Sequence, residues 1–207
     1  MVIGKYSSLI EILATREQYR EHYLQHRDPI GEDRMLWRAQ TFRHLMHLIP
    51  GQTILELGCG QGVFTRKLVR VSRGENPITA VTFNPDTSRP PELAGRVEFV
   101  NASSLPGALE GRRFDLIVAL DLLDRHNCAG LLSNVYDFLN PGGEVLFFQS
   151  NPWNIVLKLR RFVSRFFGGR DPRSLISRTQ LYELMSEVGF IRVSAFYNDF
   201  VYKPLTG

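Results

Sequence analysis

Ile54-Leu55-Glu56-Leu57-Gly58-Cys59-Gly60-Gln61-Gly62-Val63-Phe64-Thr65-Arg66-Lys67-Leu68 is the stretch whose reading decides the fold. Its first half is a short apolar run after Pro50-Gly51, the pattern of a parallel strand covered on both faces. Its second half places Val63, Phe64, Leu68 and Val69 on one face of a helix. Between the two lie Gly58, Gly60 and Gly62 at alternate positions. Glycine tolerates positive φ and lets a ligand lie against bare backbone, and the helix start behind the turn adds free N–H groups. A dinucleotide fingerprint would require glycine at position 63, which is valine, so a nicotinamide-dependent oxidoreductase is disfavoured. Glu56 at the strand end would repel a pyrophosphate and suits a cationic or amine-bearing ligand.

Outward from this stretch, four further strands are predicted. Ile78-Thr79-Ala80-Val81-Thr82-Phe83 is the second, Arg96–Val100 the third, Phe114–Leu120 the fourth and Glu144–Gln149 the fifth. Helical patterns fill the intervals, one over 5–28, a second from Met35 to Ile49, and others over Leu131–Leu139 and Ser177–Phe190. Ile191–Tyr197 reads as a sixth strand. Alternating strands and helices mean an α/β fold with a mainly parallel sheet covered on both faces.

Glu56-Leu57-Gly58-Cys59-Gly60-Gln61-Gly62 resembles the cofactor loop of the class I S-adenosylmethionine-dependent methyltransferases, of the small-molecule type. Leu139-Asn140-Pro141-Gly142-Gly143 is similar to that family's L-x-P-G-G turn, and the Phe114-Asp115 strand stands in the expected place between them. The resemblance covers about residues 35 to 198 and implies a three-layer Rossmann-like methyltransferase fold. It also implies S-adenosylmethionine as cofactor, with Glu56, Gly58, Cys59, Gly60 and Gly62 around its methionine part. Thr82, Phe83 and Asn84 would lie near the ribose, Ala102 and Ser103 near adenine, and Asp121 and Leu122 beside the cofactor's middle.

Two departures stand out. The family usually ends its second strand in an acid that accepts the ribose hydroxyls; here Thr82 holds that place, with Asn84 and Asp86 as the neighbours able to take over. An acid near the adenine amino group is likewise replaced by Ser103. These losses motivate the rival reading, a methyltransferase-like binding or scaffolding domain without catalysis. His126, after the fourth strand in Asp121-Leu122-Leu123-Asp124-Arg125-His126, is the candidate catalytic base, an ordinary loop histidine being the alternative. Tyr19 and Tyr23 are candidate lid residues or simple packing partners.

The expected organisation is an N-terminal helical cap over 1–34 and a cofactor-binding domain over 35–207, with a basic amphipathic insertion over 151–173. That insertion carries Lys158, Arg160, Arg161, Arg165, Arg170 and Arg173 against Asp171 alone, so it accounts for the chain's net charge of +4. Its core, 154–167, either packs on its own domain or lies on an anionic membrane surface, which would bring the cleft to a lipid-linked acceptor. Nucleic acid is the least favoured partner, because the remainder of the chain is near neutral. No metal is expected, because His44 and His47 lack a third ligand, and Cys59 and Cys128 form no disulfide framework. No apolar run approaches the roughly 20 residues of a membrane span, so the expected location is cytoplasmic, or peripheral to the inner membrane face. The family's antiparallel seventh strand is not legible, which implies a fragment of a longer protein or an open edge filled by another segment or subunit, a second copy included.

Overall fold

The computed structural model describes residues 3–26, 31–84, 87, 89–104, 107–123, 127–149 and 176–195; in the first helix, side chains are described from 10 to 22. The elements follow the order α1 (Ile3–His26), α2 (Gly31–Leu45), β1 (Ile54–Leu57), α3 (Val63–Val71), β2 (Ile78–Thr82), β3 (Val97–Asn101), β4 (Phe114–Leu120), α4 (Cys128–Asp137), β5 (Leu139–Phe148) and α5 (Arg178–Val188). The chain divides into two compact units, residues 1–122 with 137–148, and residues 123–136 with 149–207.

The first unit holds one five-stranded sheet of order β3-β2-β1-β4-β5, and every pairing is parallel. Ile54 of β1 stands opposite Ile78 of β2 on one side and Leu116 of β4 on the other. All residues of β1 and β2 are buried, which explains why both read as continuous apolar runs and not as alternating ones. Met35, Ala39 and Phe42 of α2 and Phe64, Leu68 and Val69 of α3 share one core cluster with Ile54, Ile78, Leu116 and Val118. At the amino ends of the strands, Asp115 Oδ2 accepts from Thr53 N–H and from Thr53 Oγ1, both at 2.8 Å. Its Oδ1 accepts from Asn140 Nδ2 at 2.8 Å, so one carboxylate ties the starts of β1, β4 and β5 together.

In the second unit the described residues include most of α4, which buries Cys128, Leu131, Leu132 and Val135 at helical spacing, and α5. Ser177 caps α5 with a reciprocal capping box to Gln180, and Gly189 closes it at φ 111°. The Tyr136 and Phe190 rings meet edge to face at 5.3 Å, and Tyr182 Oη accepts from Ala195 N–H.

Several sequence expectations are corrected. The fifth strand starts at Leu139, not Glu144: Phe114 pairs with Leu139 and Leu116 with Glu144, so Asn140–Gly143 bulge out of a strand already begun. The helix before it therefore ends at Asp137. Residues 191–195 form no strand, and 196–197 lie outside the described residues. The largest correction concerns α1. Its apolar residues are only partly inward, with Leu13 buried but Ile12 at the surface, whereas Arg16, Glu17 and Arg20 are all buried.

Candidate functional site

The carboxyl end of β1 opens into the glycine turn. Gly58 and Cys59 N–H both donate to Val81 O, at 2.8 and 2.9 Å, which pins the turn to the end of β2. Gly58, Gly60 and Gly62 all take positive φ, at 72°, 52° and 75°, and Gly62 is the N-cap of α3 without a side-chain cap. A Cβ at Gly58 would stand 2.9 Å from Leu122 Cδ2, and one at Gly60 would overlap the Glu21 carboxylate. Glycine is thus required here by both backbone angle and space.

Beneath this turn Glu56 is fully buried, and neither carboxyl oxygen has a hydrogen-bond partner. Burial pushes its carboxyl up to about 7, opposed by Thr65 and Arg20 and reinforced by Glu17 and Glu21. The Thr65 hydroxyl, also unpartnered, faces Glu56 without reaching hydrogen-bond geometry. Cys59 is buried as well, and desolvation raises its thiol pKa well above the ordinary value.

Above the turn lies a stripe of charges from α1 spaced three and four residues apart. Arg20 Nη1 donates to Leu120 O at 3.0 Å and Nη2 to Gly58 O at 2.5 Å, the carbonyls of the last residue of β4 and of the first residue after β1. Arg20 also pairs with Glu21 at 3.1 Å. Desolvation works against the buried cation, but Glu21, Glu17 and Asp121 outweigh it and raise its pKa, so it stays charged. Glu17, 1% exposed, receives Thr82 Oγ1–H on Oε1 at 2.6 Å and Phe83 N–H on Oε2 at 2.9 Å. The end of β2, which ends in threonine in the sequence, therefore carries a carboxylate after all, lent by α1.

On the β4 side Asp121 takes φ 54°, a left-handed conformation unusual for a non-glycine residue, and its N–H donates to Phe148 O at 2.7 Å. Arg38 of α2 donates to Asp121 Oδ2 at 3.0 Å and lies over the Phe148 ring at 5.6 Å. At the end of β3, Asn101 Oδ1 accepts from Ser103 N–H and Oγ–H, both at 2.9 Å, while Ala102 is buried.

Glu56, Gly58, Cys59, Gly60, Gly62, Thr82, Phe83, Asp121 and Leu122 thus gather at the carboxyl ends of β1, β2 and β4. Asn84 follows, its N–H donating to Thr82 Oγ1, and Ala102 with Ser103 follows β3. His126, Asp86, the side chain of Tyr23 and the whole segment 154–167 lie outside the described residues. Sequence reading missed Glu17, Arg20, Glu21 and Arg38. The first three sit at i, i+3 and i+4 of a helix read by its apolar residues alone, and that spacing of charges was the available signal.

A family model described as a methyltransferase domain matches residues 19–195, which take in every element from the end of α1 to α5. The chain belongs to this methyltransferase-domain family. Magnesium-protoporphyrin O-methyltransferase of Rhodobacter capsulatus is 34% identical over 103 residues, covering 47% of this chain and 44% of that protein. Highly reducing polyketide synthase PKS6 of Gibberella zeae is 23% identical over 191 residues, covering 82% of this chain and 8% of that protein. The chain thus spans less than half the length of these curated relatives. Among solved structures, a SAM dependent methyltransferase from Archaeoglobus fulgidus superposes with TM-score 0.57 at 16% identity, covering 83% of this chain and 73% of that one. The family resemblance and the Rossmann-like fold expected from the glycine loop are both borne out. No described helix of this methyltransferase-domain protein is long and apolar enough to cross a membrane.

Proposed function

We propose that this methyltransferase-domain chain binds S-adenosylmethionine at the glycine turn and transfers its methyl group to a small-molecule or lipid-linked acceptor, at oxygen. The observation that carries the reading is the cation seat between β1 and β4, where the carbonyls of Gly58 and Leu120 converge on one guanidinium. Two carbonyls so placed are acceptors for an ammonium group, and the adjoining glycine turn admits the rest of an amino-acid chain. Thr82, Phe83 and Asn84, at the end of β2, are assigned to the ribose. The residues present therefore fit the cofactor's chemistry.

When bound, the sulfonium cofactor supplies an already activated methyl group. The protein's work is to hold the acceptor in line with that methyl group and to exclude water. Glu56, buried beneath the turn with its carboxyl pushed up to about 7, lies by this seat, and a cation held there favours its ionised form, as Arg20 does in this structure. Asp121, in a left-handed conformation and paired with Arg38, borders the place where cofactor and acceptor would meet. We assign His126 the removal of the acceptor hydroxyl's proton. The segment 154–167 is assigned membrane-surface contact in the case of a lipid-linked acceptor.

Calorimetric titration with S-adenosylhomocysteine tests the cofactor half of this proposal without knowledge of the acceptor. Micromolar binding is expected, and no binding at millimolar ligand overturns it. The competing reading, a binding domain without catalysis, is favoured by Thr82 and Ser103 standing where acids are expected. It predicts cofactor binding without transfer to any hydroxyl acceptor in a screen that follows label from the methyl group.

A further inference from the structure

We infer that α1 is an internal competitor for the cofactor seat, so that ligand binding and the docking of Glu17, Arg20 and Glu21 onto the strand ends exclude one another. The inference rests on the cofactor reading above and adds a regulation to that site. Three contacts carry it, all within the first unit. Arg20 Nη2 and Nη1 occupy the Gly58 and Leu120 carbonyls, the acceptors an incoming ammonium needs. Glu21 fills the space over Gly60 that the absent side chain leaves open, and its Oε2 receives Gln61 N–H at 3.4 Å. Both residues stand on one helix, so they leave together when it lifts.

The docked state is held by an unusual balance. Arg20 is a buried cation among Glu17, Glu21, Glu56 and Asp121; Glu17 and Glu21 leave with it when α1 lifts, and Glu56 and Asp121 stay behind without its charge. A ligand that sets an ammonium group on the two carbonyls replaces the charge that Arg20 takes away; one without a cationic group does not. The exchange of one cation for another makes α1 a selectivity filter as well as a cover. It also lowers apparent affinity in proportion to the fraction of molecules with α1 undocked.

The test pairs hydrogen exchange of α1 amides with titration of S-adenosylhomocysteine into the full chain and into the Arg20→Ala and Glu21→Ala variants. We expect α1 exchange to accelerate in both variants without ligand, and in the full chain when S-adenosylhomocysteine is added. Affinity should tighten by about tenfold in Arg20→Ala and less in Glu21→Ala, because the competing occupant is weakened. Slower α1 exchange on adding ligand, or weaker binding by both variants, overturns the inference, since α1 would then close over the cofactor. If S-adenosylhomocysteine binds to none of the three proteins, the cofactor reading fails. The exchange data still decide the docking: acceleration in the variants supports it and unchanged exchange overturns it. Glu21→Ala removes an only partly buried side chain and keeps the experiment decisive where Arg20→Ala does not fold.

Discussion

The two ends of the same central strands are built in opposite ways. At the amino ends, Asp115 is saturated by Thr53 and Asn140, and these hydrogen bonds hold its carboxyl below the usual value. At the carboxyl ends, Glu56 is buried without a partner, Asp121 is in a left-handed conformation and Arg20 is a buried charge borrowed from another element. The first end has its carboxylate satisfied on both oxygens; the second keeps a carboxyl without a partner and a residue in a left-handed conformation. Desolvation and strain of this kind persist only where the surrounding structure over-determines them, and they single out the carboxyl ends as the candidate ligand site. The contrast agrees with the rule that ligands of parallel sheets bind beyond the strand carboxyl ends.

Three substitutions would break or sharpen that contrast. The largest effect is expected for Gly60→Val, which forces a β-branched side chain to φ 52° and into the Glu21 carboxylate. Loss of about 2–4 kcal/mol in urea denaturation and no calorimetrically detectable S-adenosylhomocysteine binding are expected; wild-type affinity would place the ligand away from the turn.

Asp115→Ala strikes the opposite end and should cost about 2–3 kcal/mol, because Thr53 N–H and Asn140 lose their acceptor. Ligand affinity should not change. The sign of the pH effect follows from the lowered pKa: the folded chain keeps Asp115 ionised where the unfolded one protonates it. Its contribution is complete above the usual value of 3.8 and is lost as pH falls further, so wild type and variant should converge in acid. A constant difference down to acid pH would show that the carboxylate's charge plays no part.

Glu56→Gln should have the smallest effect and the opposite sign. Its carboxyl, pushed up to about 7 from 4.5, keeps a proton in the folded chain that the unfolded chain releases between those values. Wild-type stability should therefore fall as pH rises through that window and then level off. The variant should lack this slope and be the more stable of the two at pH 8, while binding S-adenosylhomocysteine more weakly. Parallel pH profiles for the two proteins would mean that Glu56 is solvated.

Much of the fold was legible in local pattern. Phe114–Leu120 was placed to the residue because a strand buried on both faces writes itself as an apolar run, broken here only by Asp115 near its start. The Ser177 start and Gly189 stop of α5 were legible for a similar reason, since caps are chemistry between near neighbours. The early start of β5 was not, because its first pairing, Leu139 with Phe114, is made before the Pro141-Gly142-Gly143 turn that seemed to separate helix from strand. The inward face of α1 was hidden for a deeper reason. Amphipathic reading assumes that apolar residues point inward, and here Arg16, Glu17 and Arg20 do.

By itself, then, the sequence determined the alternating α/β order, the glycine turn between β1 and α3, and the acid beneath it, because each depends on residues within a few positions of one another. Only the tertiary structure decided that the carboxylate missing from the end of β2 comes from Glu17, 65 residues earlier, and that Arg20 caps strands β1 and β4 together. A buried charge is tolerable only when distant groups of the other sign converge on it, and convergence over such separations has no local pattern to announce it.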